Sequence, residues 1–190
     1  MKKTAKILTL LLVAGSILSA CKKKDNEVTA FASAGVNSST GAIDVGSISR
    51  SITASGFSNN VHDVKVRFQG SHALLGEAEL FLRSPSGKIL ELMTDPTDAS
   101  SSLIDVTFSD AGSVSADVWS SGTGSTANFT GTFKPAGTLN SGYTYTGTIT
   151  TFAGFKGDTP NGTWTLYMSD DVGGDYFNIT SWELSLSTSK

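Results

Sequence analysis

The side chains best suited to chemistry in this chain are carboxylates, and they fall into two groups. Near the C-terminus, Asp170, Asp171 and Asp175 surround the pair Gly173-Gly174. Without a Cβ, those glycines let the backbone curl so that side-chain and main-chain oxygens converge on one point. Farther back, Glu77, Glu79, Asp95, Asp98 and Asp110 lie at or near the ends of β-prone segments. A hairpin and the strand after it would bring them to one end of a sandwich. Oxygen ligands without a His/Cys cluster favour a hard cation, calcium, over zinc or copper. Carboxylates crowded together repel, so a cation would be physically useful there. Taken singly, each is an ordinary solvated turn acid. Glu79 alternates with apolar neighbours, and that pattern points it at water.

The elements that must position these acids are strands. Trp164, Leu166 and Met168 share one face at period two, and so do Trp182, Leu184 and Leu186. The C-terminal region therefore reads as strand, acidic turn, strand, opened by the turn dipeptide Asn161-Gly162. Val64, Val66 and Phe68 form the inward face of another strand, which Gly70-Ser71-His72 should break. Ala78 to Arg83 and Lys88 to Met93 flank Ser84-Pro85-Ser86-Gly87, where Pro sets φ and Gly permits φ > 0, the chemistry of a hairpin turn. Leu103 to Phe108 alternates again. Gly131 to Pro135 is a brief extended piece, and Leu139 to Phe155 is rich in aromatic and β-branched residues. About eight short strands with Gly-rich turns, no helical period and no internal repeat predict an all-β sandwich or barrel.

The 190 residues suffice for one domain with a genuine core plus appendages. Charged residues make up only 16%, and the net charge of -3 becomes -6 once Lys2, Lys3 and Lys6 are set aside with the N-terminal segment. No basic stripe remains, which argues against a nucleic-acid partner. The single cysteine rules out an intramolecular disulfide and draws attention to its position. A basic start, an apolar run from Ile7 to Leu18 too short for a confident membrane span, and Leu18-Ser19-Ala20-Cys21 match a bacterial lipoprotein signal. Residues 1–20 are then a signal peptide. Residues 21–46 are a lipidated Cys21 and a flexible tether, and residues 47–190 are the folded domain. Acyl chains on Cys21 would anchor the protein to a membrane without spanning it. The run Lys22 to Glu27 resembles surface-export signals of Bacteroidetes lipoproteins. The expected location is the bacterial cell envelope, at the outer membrane and exposed on the surface.

Several blocks, in order from about Ser47 to Thr188, resemble the P domain (Homo B domain) of subtilisin-like proprotein convertases. His72 to Gly87 carries the first, with Glu77 where the family usually has Asp and Lys88 where it usually has Thr. Leu92-Met93-Thr94-Asp95, Phe108-Ser109-Asp110-Ala111 and Gly131-Thr132-Phe133-Lys134-Pro135 follow. Gly162-Thr163-Trp164-Thr165-Leu166, Ser169-Asp170-Asp171, Gly173-Gly174-Asp175 and Ser181-Trp182-Glu183-Leu184 complete the set. The resemblance implies a jelly-roll-like antiparallel β-sandwich, galactose-binding-domain-like, with calcium in acidic loops. It implies a structural His72 and a non-catalytic accessory role acting by protein contact, such as with a separate protease. The chain carries no Gly-Thr-Ser-Met or His-Gly-Thr motif of a subtilase, and only His62 and His72 offer an imidazole, so no enzyme activity is expected. One alternative is a carbohydrate platform built from Trp119, Tyr143 and Tyr145, which would make a glycan the partner. A small hydrolase ranks below it.

Overall fold

The computed structural model describes residues 30–35, 42–96, 101–118, 128–137 and 146–188. Among the described residues, eleven strands form two sheets. One has the order β1 (Ala30–Gly35), β11 (Phe177–Thr188), β4 (Val61–His72), β7 (Ser101–Phe108), β8 (Phe129–Phe133), with β2 (Ala42–Ile43) also pairing β11. The other has the order β3 (Gly46–Ala54), β10 (Gly162–Asp170), β5 (Ala78–Arg83), β6 (Ile89–Thr94), β9 (Thr148–Ile149). Three short 3-10 turns, at Leu75–Glu77, Ala116–Val118 and Phe152–Phe155, are the only helical pieces among the described residues. The pairing is antiparallel except for β6 with β9 and β7 with β8, which run parallel, so both sheets are mixed.

The core lies where the alternating apolar faces of the two sheets meet. Trp164, Leu166 and Met168 of β10 are fully buried, opposite Trp182, Leu184 and Leu186 of β11 and Val64, Val66 and Phe68 of β4. Phe155 packs edge-on to Trp164 at 5.2 Å between ring centroids. The Trp164 indole N–H donates to the Pro160 carbonyl at 2.9 Å, which is how a buried Trp keeps its polar atom satisfied.

Three departures from the sequence reading have physical causes. Gly70 does not end β4, which continues to His72. Gly70 stands beside a register shift, where a Cβ would lie 2.3 Å from the Asn178 carbonyl oxygen, so the strand passes only because that residue has no side chain. Residues 30–35, which composition assigns to the tether, pair with β11, and with the short strand 42–43 near the end of that segment they extend the sheet upstream of residue 47. The aromatic-rich region before Phe155 supplies only the two-residue β9 and the 3-10 turn Phe152–Phe155 among its described residues. The phenylalanines fill the core from a turn instead of a strand.

A candidate cation site at one end of the sandwich

Three neighbouring strands of the second sheet place their acids at the same end. β5 lies between β10 and β6, and Glu79 stands opposite Ser169 on one side and Thr94 on the other. Asp171 follows the last residue of β10, and Asp95 follows the last residue of β6. Two backbone bonds lock these ends against β5. The Asp95 N–H donates to the Ala78 carbonyl at 3.2 Å, and the Asp171 N–H donates to the Glu77 carbonyl at 3.3 Å. Asp95 adopts φ 42, a left-handed conformation that a short polar side chain tolerates. One oxygen from each of Glu79, Asp95 and Asp171 lies within 4.8 Å of the others.

The electrostatics are those of crowded, partly desolvated carboxylates. Glu79 is 2% exposed and accepts a hydrogen bond from the Ser169 hydroxyl. Burial, with Asp95, Asp171 and Asp170 nearby, lifts its carboxyl to about 7 despite that bond. Burial raises Asp95 as well, with Asp171 adding to the effect. Glu77 is raised by burial and by Asp170, Asp175, Asp171 and Asp95, and its Oε2 has no hydrogen-bond partner among the described residues. Each of these groups would hold its negative charge more easily with a cation beside it. Hard carboxylate oxygens converging from three strand ends, with no imidazole or thiolate among them, suit an oxygen-liking divalent ion.

Asp170 has a different task. Its Oδ2 lies 3.1 Å from Nε2 of His72, both side chains are fully buried, and its Oδ1 accepts the Val172 N–H at 3.3 Å. His72 Nδ1 accepts the Leu74 N–H at 2.9 Å, so the neutral ring carries its proton on Nε2 and donates to Asp170. Burial holds the imidazole below its ordinary value, against the opposing pull of Asp170. The His72 ring also packs against Phe177 at 5.1 Å. This sealed pair pins the start of the 171–175 loop. Asp44 steadies the same loop from outside, accepting the Gly174 N–H at 2.7 Å. Gly174 has φ 119, and a Cβ on Gly173 would come within 3.0 Å of Val45, so the two glycines are what allow the loop to lie there.

The two groups of acids foreseen in the sequence thus merge. Glu79 and Asp95 come from the first and Asp171 from the second, with Glu77 close enough for Asp170, Asp175, Asp171 and Asp95 to raise its carboxyl. Glu79 does not face water: it points away from the inter-sheet core but is covered. Asp110 does not join the cluster. Its two oxygens accept the N–H groups of Phe152 and Ala153 at 2.9 and 2.8 Å, capping that 3-10 turn. Asp98, Cys21, Trp119, Tyr143 and Tyr145 lie outside the described residues. His62 is exposed on β4. Sequence reasoning missed the partnership of Asp170 with His72, yet its signal was present. Both residues continue the even-numbered apolar faces, 164-166-168-170 and 64-66-68-70-72, and so must point inward. It also missed Asp117, whose Oδ1 accepts the Thr94 N–H at 2.9 Å and whose carboxyl burial raises to about 6.

Comparison with known proteins agrees with this architecture. A family model described as Proprotein convertase P-domain matches residues 61–186. No curated protein sequence matches the chain. Among solved structures, a serine protease of Aeromonas sobria superposes with a TM-score of 0.50 at 17% identity, covering 85% of this chain and 27% of that one. The same organism's serine protease in complex with its chaperone ORF2 gives 0.49 at 17% identity, covering 86% and 27%. The chain therefore spans about a quarter of the length of these proteases.

Proposed function

Because the chain belongs to the proprotein convertase P-domain family, a family of accessory domains of subtilisin-like proteases, we propose that it is a non-catalytic accessory module that works through protein contact and is stabilised by calcium. Glu79, Asp95 and Asp171 would hold the ion, which would neutralise their mutual repulsion and tie together the ends of β5, β6 and β10. The lipoprotein signal ending at Cys21 supports anchorage at the envelope of a bacterium, on the outer membrane with the domain exposed. A protein with a subtilisin-like fold is the partner class that the family membership favours.

The observation that carries the calcium reading is the convergence of three carboxylates, one of them almost fully buried, on neighbouring strand ends. Calorimetric titration of purified protein with calcium and with zinc tests it. Saturable heat with calcium, and none with calcium for the Asp171→Asn variant, is the expected result; no heat with calcium on the parent would defeat it. The accessory reading is tested separately, by cross-linking the intact protein in its own envelope and identifying what it contacts. Recovery of a subtilisin-like protease supports the reading, and recovery of a glycan-bearing contact alone would replace it. Hydrolysis of general peptide or ester substrates by the purified chain would overturn the non-catalytic assignment.

A further inference from the structure

The topology fixes which end of the sandwich lies near the anchor. β1 runs antiparallel to β11, with Ala30 opposite Leu186 and Gly35 opposite Ser181. Ala30 therefore sits at the end that also holds Val61, opposite Thr188, and the turn between β5 and β6. The acidic site lies at the other end, where β11 begins at Phe177. The nine residue steps from Phe177 to Leu186 separate the two ends by about 31 Å. Eight residues, 22–29, join Cys21 to Ala30, and even fully extended that connection reaches only about 30 Å.

The two ends also differ in charge. The segments at the far end, 43–46, 72–79, 94–96 and 170–178, hold Asp44, Glu77, Glu79, Asp95, Asp170, Asp171 and Asp175, with no Lys or Arg among them. The near end offers Lys65, Arg83, Lys88 and Lys156 against Asp63, Asp110 and Asp158, with Lys65 paired with Asp63 at 3.6 Å and Lys88 with Asp158 at 2.8 Å, so it carries no excess of acid. The tether adds Lys22, Lys23 and Lys24 directly after the cysteine, followed by Asp25 and Glu27 closer to the domain.

We propose that the sandwich stands on an anionic lipid surface by the end that holds Ala30, Arg83 and Lys156, so that the acidic end is held farthest from the bilayer and is the face offered to partners. This rests on the reading of Cys21 as the lipid anchor. Two independent effects fix the orientation. Inverting the domain would demand the whole extended length of the tether, removing its conformational freedom. Inversion would also bring the acidic end within the roughly 8–10 Å over which surface potential acts, against anionic headgroups that repel it and attract the tether lysines. In the upright arrangement the acidic end stands well beyond that range.

The test uses full-length protein matured in a bacterial envelope and reconstituted into vesicles of phosphatidylcholine and phosphatidylglycerol. With the one native cysteine acylated, Lys156→Cys and Tyr176→Cys each provide a single free thiol for a fluorophore, and both parent side chains are exposed. Headgroup-nitroxide lipids should quench the label at 156 at least ~3-fold more strongly than the label at 176, given the ~31 Å between the ends. Equal or reversed quenching on vesicle-bound protein overturns the orientation and leaves the anchor standing. Failure of both variants to float with vesicles, matching a Cys21→Ser control, overturns the anchor and the orientation with it.

Discussion

Replacing Glu79 with Gln separates the cost of crowded charge from the benefit of a bound ion. Glu79 is nearly inaccessible, accepts the Ser169 hydroxyl, and faces Asp95 and Asp171. Burial first, and the neighbouring acids second, raise its carboxyl from 4.5 to about 7. A native value above the unfolded one means that the folded chain holds the extra proton in that window. The contribution to stability is therefore full below about pH 4.5 and is lost as pH rises through about 7. At 1.36 kcal/mol per tenfold, the loss amounts to at most about 3 kcal/mol. Gln keeps the shape and an acceptor for Ser169 but cannot ionise. In chelator at about pH 8 the variant should melt above the parent, by up to about 6–12 °C at 2–4 °C per kcal/mol, and the gap should close toward about pH 5. Calcium should reverse the order. The parent gains about 2.7 kcal/mol at a hundredfold excess over Kd, and the variant, lacking an anionic ligand, gains much less. Differential scanning calorimetry across this pH range, with calcium or chelator, reads both effects. A variant that melts no higher than the parent in chelator at high pH would refute the crowding account, and an equal calcium increment in both proteins would remove Glu79 from the site.

Three further substitutions test the roles assigned to neighbouring groups. Asp110→Ala should cost about 2 kcal/mol in urea unfolding, since it frees the Phe152 and Ala153 N–H groups, yet leave the calcium response intact; a weakened calcium response would return Asp110 to the site. His72→Ala should cost about 3–5 kcal/mol because it strands Asp170 in the core without its partner, with a smaller loss in the double variant with Asp170→Asn; additive losses in the two single variants would show that the groups do not act as a pair. Trp164→Phe should destabilise by about 1 kcal/mol more than Trp182→Phe, because only Trp164 gives up a hydrogen bond. The Trp182 indole N–H has no partner among the described residues, and equal losses would contradict that difference.

The β-sandwich and its inward faces were legible because alternation is a local signal that burial enforces. Val64 to Phe68, Trp164 to Met168 and Trp182 to Leu186 lie as their spacing requires. The site was legible only in its ingredients. Composition could name the acids, but register decides which of them meet, and register is set by pairings between residues as distant as Glu79 and Ser169. Asp110 shows the limit most clearly: its chemistry suits a cation, and tertiary structure gave it two backbone N–H groups instead. Glu79 shows the complementary limit. Period two put it on the outer face correctly, but the inference from outer face to water fails wherever a strand is covered on both sides. β5, with Ala78 through Leu82 all buried, is such a strand.

The end of β10 explains how one short stretch serves both structure and the candidate site. Ser169 and Asp170 are adjacent and so project to opposite faces of the sheet. Ser169 reaches Glu79 on the outer side, while Asp170 reaches His72 on the core side. Asp170 has both oxygens committed, to His72 and to the Val172 N–H, and therefore fixes the loop without being free to ligate. Asp171, the first residue beyond the strand, is exposed, and its backbone is tied to Glu77, so its carboxylate is positioned, with no internal bond among the described residues to compete with an ion. The Ser-Asp-Asp sequence at this strand end thus assigns one residue to each of three tasks: hydrogen-bonding the buried acid, pinning the loop, and offering a ligand. Exchanging Ser169 and Asp170 would set a second carboxylate against the buried Glu79 and leave His72 facing a hydroxyl, which is why the order of these residues matters as much as their types.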